Sequence, residues 1–186
     1  PFFLLLASCI ETGNTDEDNK GGEGLDTPEE LIGSGMVKIH LSIPEGSNFD
    51  FQSSSLLNPY TQVNFGTNGY IIDKPKEHTA FFVLDKDSEP VMMGYNSSIF
   101  GGDDITVKST AVGMLMMSPT ILGLSNEGKK DFLEAILEDP HLKDLEMEIE
   151  KTIVAGHGLF DEKNVKLTEA YQAILQSVSE NKRVAA

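Results

Sequence analysis

Apolar and polar side chains alternate along MVKIHLSI at 36 to 43, with Val37, Ile39, Leu41 and Ile43 on one face and Lys38, His40 and Ser42 on the other. A period of two predicts a strand with one buried face, and Pro44-Glu45-Gly46 ends it. Apolar runs at 61 to 65, 69 to 73, 79 to 85, 91 to 95 and 104 to 107 are short and punctuated by Gly, Asn, Pro and Asp. They predict five more strands joined by turns, with DKDSEP at 85 to 90 as a hairpin connection. Strands of this length and spacing suggest a small antiparallel β-sandwich over 35 to 108.

From residue 109 the period becomes helical. Ser109-Thr110 can cap AVGMLMM at 111 to 117, a segment apolar on every side and so a buried helix; Pro119 stops it. Ser125 can cap NEGKKDFLEAILED, where Phe132, Leu133, Ile136 and Leu137 share one stripe. Asp139-Pro140 is expected to restart the chain as an N-cap and first helical position. Leu142, Leu145, Ile149 and Ile153 then form a stripe ended by Gly156 and Gly158, and a last helix near 168 to 179 buries Ala170, Tyr171, Ile174, Leu175 and Val178. The expected class is α+β: the sandwich followed by a C-terminal bundle of helices, 109 to 181, packed on it.

The first 34 residues follow neither period. Residues 1 to 7 are apolar, around Phe2-Phe3-Leu4-Leu5-Leu6, but far short of the roughly 20 residues that span a bilayer. They read as the end of a signal peptide, residues 1 to 8, whose basic start would precede Pro1. Residues 10 to 30 carry eight acids, one base in Lys20 and almost no large apolar side chain. Such a segment cannot bury enough surface to offset its ordering entropy, so 9 to 34 is expected to be an acidic flexible tether.

Leu6-Ala7-Ser8-Cys9 resembles the bacterial lipobox, a large aliphatic and two small residues before an obligatory cysteine. The resemblance implies cleavage before Cys9, a diacylglycerol on its sulfur and acylation of the freed amine. Cys9 is the sole cysteine, so no internal disulfide competes for it. Asp16-Glu17-Asp18 is similar to the acidic export signal of Bacteroidetes surface lipoproteins, and Ile10 after the cysteine does not favour inner-membrane retention. FFVLDKDSEPVMMGY resembles the carboxypeptidase-regulatory, transthyretin-like sandwich modules of bacterial surface proteins, over about 36 to 108, although Ser88-Glu89 stands where Asp-Gly or Asn-Gly is common. The following run from Ser109 resembles a helical block found after such modules in envelope proteins, which bears on architecture alone.

Charge and chemistry narrow the function by exclusion. A formal charge of -16 with no Lys/Arg cluster argues against nucleic acid as a partner. His40, His78, His141 and His157 never fall at metal-ligand spacing. Asp85, Asp87 and Glu89 alternate like the start of a calcium loop but lack its later Gly and Glu, so a charged turn is expected there, as at Asp103-Asp104. There is no Gly-x-Ser-x-Gly elbow, and Gly33-Ser34-Gly35 lacks the Lys-Ser/Thr of a P-loop. Met92, Met93, Met114, Met116 and Met117 read as core fillers, and Asn96-Ser97-Ser98 as a chance sequon. No catalytic, cofactor or metal residue is therefore expected, and Cys9 is the one site assigned. The expected protein is a lipid-anchored outer-membrane protein facing the cell surface, a binding or structural module for a protein or glycan ligand; its membrane contact is the lipid. The alternative is the accessory region of an envelope hydrolase whose catalytic domain follows Ala186.

Overall fold

The computed structural model describes residues 35–66 and 69–180. Among the described residues, seven strands make two sheets. The first holds β4 (Tyr70–Asp73), β1 (Met36–Leu41) and β7 (Asp104–Ile105) in that order. The second holds β3 (Gln62–Asn64), β2 (Ser55–Leu57), β5 (Thr79–Leu84) and β6 (Pro90–Asn96). Five helices follow: α1 (Val107–Met116), α2 (Pro119–Leu122), α3 (Asn126–Glu138), α4 (Leu142–Val154) and α5 (Val165–Ser179). The class is mixed α+β, as expected.

The alternating face of β1 turns inward: Ile39 is fully buried, while Val37, Leu41 and Ile43 are half-buried against the core. β5 and β6 pair antiparallel, with Phe81 opposite Gly94 and Ala80 opposite Tyr95. Their connection closes through Asp85 N–H to the Glu89 carbonyl at 3.0 Å, and Asp85 Oδ1 accepts from the backbone N–H groups of Asp87 and Glu89. Ser88 takes the left-handed backbone, φ +65°, that Gly usually fills in such turns.

One pairing departs from the antiparallel expectation. β1 and β7 run parallel, with His40 opposite Asp104 and Leu41 opposite Ile105. Parallel neighbours need a long crossover, and here the chain passes through β2 to β6 before β7 returns beside β1. The strand expected at 104 to 107 is shortened to two residues, because Thr106 takes the N-cap of α1. Its hydroxyl accepts from Ser109 N–H, and the Ser109 hydroxyl accepts from Thr106 N–H. Ser109 and Thr110, expected as caps, lie inside the helix.

Both sheets and all the longer helices contribute to one hydrophobic cluster, including Ile39, Ile72, Phe81, Met93, Leu115, Leu133, Ile149 and Ile174. α1 is its hub, buried from Ser109 to Met116 and packed on β6, α3 and α4. β6 is an edge strand, and its outward backbone would be unpaired beneath this helix. Thr110 Oγ1 accepts from Met93 N–H at 3.1 Å, while the Ser109 and Thr110 hydroxyls both lie within reach of the Met93 and Thr106 carbonyls. Two hydroxyl protons serve two carbonyls, so the buried edge is satisfied by side chains where no further strand exists.

Candidate functional site

Asp139 joins three helices. Extended backbone before Pro140 ends α3, and the carboxylate turns inward with 9% of its side chain exposed. Its Oδ1 accepts from His141 backbone N–H at 2.8 Å and faces His141 Nδ1 at 2.9 Å; its Oδ2 accepts from the Ser177 hydroxyl at 2.6 Å. Burial pushes the carboxyl pKa up, but the donors from Ser177 and His141 outweigh it and hold the group below its ordinary value. This differs from the expected restart at Asp139-Pro140, since α4 begins only at Leu142 with no side-chain cap. The trio Asp139, His141 and Ser177 contains the residue types of a hydrolytic triad in the wrong order. The Ser177 proton goes to the carboxylate, so no base is poised to activate the hydroxyl. Its effect is positional: the end of α5 is held beside the start of α4, and the two helices run antiparallel.

Between them lies an open groove of about 360 Å³ lined by Asp144, Met147, Glu148, Lys166, Glu169, Ala170 and Ala173, with His141 at one end. Met147 is 46% exposed on an amphipathic helix whose other large apolar side chains, Leu142, Leu145, Ile149 and Ile153, are buried. Glu148 is held by Lys151 Nζ at 2.6 Å. The lining combines apolar surface with three carboxylates, Asp144, Glu148 and Glu169, and one lysine, Lys166.

A second cluster lies where the 74–78 loop meets β6. His78 adopts φ +61° and its Nδ1 lies 2.9 Å from the hydroxyl of buried Tyr95. Burial, aided by the negative Glu77, pushes the Tyr95 pKa far above its ordinary value. Glu77 accepts from Ser98 N–H and hydroxyl at 2.8 and 3.0 Å, and the Asn96 amide donates to the Pro75 and Lys76 carbonyls. These bonds pin the 74–78 loop and the 97–101 turn to each other. The Asn96 amide of the sequon is one of those pins.

The remaining candidate residues lie apart. His40 is exposed on β1 and His157 follows α4. Among the described residues, no three of His, Cys, Asp and Glu gather closely enough to hold a metal. Asp85 is committed to its own turn. Met92, Met93, Met114 and Met116 are buried in the core and Met117 packs on its margin. Cys9 lies outside the described residues. The groove and the Asp139 junction had no signal in the sequence, because Ser177 is 38 residues from the aspartate it meets. Comparison with family models, curated proteins and solved structures finds no match for this chain.

Proposed function

We propose that this chain is a lipid-anchored bacterial envelope protein, held at the outer membrane through Cys9, that acts by binding or as a structural module. The observation that carries the reading is the order Leu6-Ala7-Ser8-Cys9, which resembles a lipobox, followed directly by an acidic segment poor in large apolar residues. Two or three acyl chains, at about 0.8 kcal/mol per buried CH₂, hold a protein to a bilayer for its lifetime. The first strand begins at Met36, and residues 10–35 could reach about 90 Å if fully extended. That is enough to carry the folded part clear of the lipid headgroups. In this reading the two sheets face each other as a sandwich, the helices form a block on one side, and the α4–α5 groove is the open surface offered to a protein or glycan. The test is Cys9→Ser in the precursor. Wild type takes up radioactive fatty acid and partitions into detergent; the variant takes up no label, and any processed form stays aqueous. Equal labelling of the two would overturn the proposal.

A further inference from the structure

We propose that Met147 is an oxidative modification site: its thioether takes one oxygen atom from a hydroperoxide ahead of every other methionine of the chain, and the fold survives the change. This goes beyond the anchor and does not depend on it. The chain has seven methionines. Met92, Met93, Met114 and Met116 are buried, none more than 8% exposed, and Met36 and Met117 are half-buried. Met147 is 46% exposed. Its place on α4 explains the difference. Two positions along a helix turn a side chain by about 200°, so Met147 points away from Leu145 and Ile149, which are fully buried on either side of it in sequence.

A sulfur lone pair attacks one oxygen of hydrogen peroxide, and an S–O bond forms as the O–O bond breaks. The proton of the transferred oxygen ends on the departing hydroxide, which leaves as water. Sulfur is oxidised by two electrons to the sulfoxide, and the peroxide is reduced by two. Partial positive charge gathers on sulfur as the new bond forms. The groove around Met147 carries Asp144, Glu148 and Glu169 against Lys166, a balance that favours that charge and does not repel a neutral peroxide. In the core the same product would bury an unpaired polar oxygen; at Met147 the oxygen faces water. The other apolar lining residues are Ala170 and Ala173, so oxidation turns the one large apolar side chain of the groove polar while the packing beneath α4 stays intact.

Treating the full chain with dilute hydrogen peroxide, and following each methionine by mass spectrometry of its peptides, tests this; the chain unfolded in urea supplies the reference rates. Trypsin releases Met147 in the peptide 144–151, apart from the other six methionines. Folding should slow oxidation of Met147 by less than about threefold, and that of Met92, Met93, Met114 and Met116, which must wait for local opening, by at least about tenfold. Circular dichroism melts of protein oxidised at Met147 alone should match untreated protein to within about 2 °C. Met147→Gln, which puts an uncharged polar group at the same place, should melt the same way. A Met147 protected as strongly as the four buried methionines, any other methionine oxidised faster in the folded chain, or a melt lowered by many degrees in either protein would overturn the proposal.

Discussion

Replacing Thr110 by Val tests the joint between sheet and helices with almost no change of shape. The side chain is fully buried, and its hydroxyl is the acceptor for Met93 N–H on the outer edge of β6. In Thr110→Val the Thr106 carbonyl keeps its helical bond from Thr110 N–H, and the Ser109 hydroxyl can still serve the Met93 carbonyl at 3.0 Å. The Met93 N–H keeps nothing. A buried donor left unpaired costs about 1–3 kcal/mol, which in a chain of this size lowers Tm by roughly 2–12 °C. Urea titration at pH 7, followed by circular dichroism, should show a single transition at a lower midpoint. Thr110→Ser keeps the hydroxyl and loses one methyl, worth about 1 kcal/mol. Thr168→Val, whose exposed hydroxyl only bonds back to the Asn164 carbonyl, should change stability by less than about 0.5 kcal/mol. A Thr110→Val protein as stable as the Thr168→Val control would refute the claim that hydroxyls on α1 complete the β6 edge.

Other consequences are equally direct. At Gly94→Ala the new Cβ would sit 2.9 Å from Ile105 Cγ1 and 3.1 Å from Phe81 Cδ2, so thermal melts should show a loss of about 1–3 kcal/mol from overpacking. The folded-state pKa of Asp139 is lowered, so its stabilisation is present above the ordinary aspartate value of about 3.9 and disappears as pH falls through and below it. Asp139→Asn should be less stable than wild type at pH 7, with the difference shrinking by pH 2 in urea titrations. Glu146 has the opposite sign: burial raises its pKa against the pull of Lys108 and Lys143, so its ionisation costs stability as pH rises through the ordinary glutamate range and above. Glu146→Gln should therefore raise the urea midpoint at pH 7 and leave it unchanged at pH 3. Melts with and without a strong chelator should coincide, and a shift of many degrees would reveal a structural metal. On intact cells, added protease should remove the folded part if it faces outward; full protection would place it on the inner side.

Elements whose side chains carry their own signal were legible in the sequence. Ser125 caps α3 and accepts from Gly128 N–H as its position implies, and the apolar runs around Asp85 to Pro90 pair as a hairpin. β2, between β3 and β5, has no signal of its own in the sequence, because Ser55-Leu56-Leu57 is too short to show a period. Its strand character comes from those neighbours. The parallel return of β7 and the late start of α4 were hidden for the same reason, since each depends on contacts distant in the chain. Ser109 and Thr110 have the chemistry of caps, and only the nearby edge of β6 reveals their other use. The lipobox resemblance at Cys9 rests on four adjacent residues, whereas the groove exists only once α4 and α5 are laid side by side.

The anchor is the central claim, and the mass of the mature N-terminal peptide tests it most directly. Protein purified from its own membranes should begin at Cys9, and that cysteine should carry the added mass of a diacylglyceryl group with a further acyl chain on its amine. An N-terminal peptide that begins elsewhere, or a Cys9 of unmodified mass, would contradict the account.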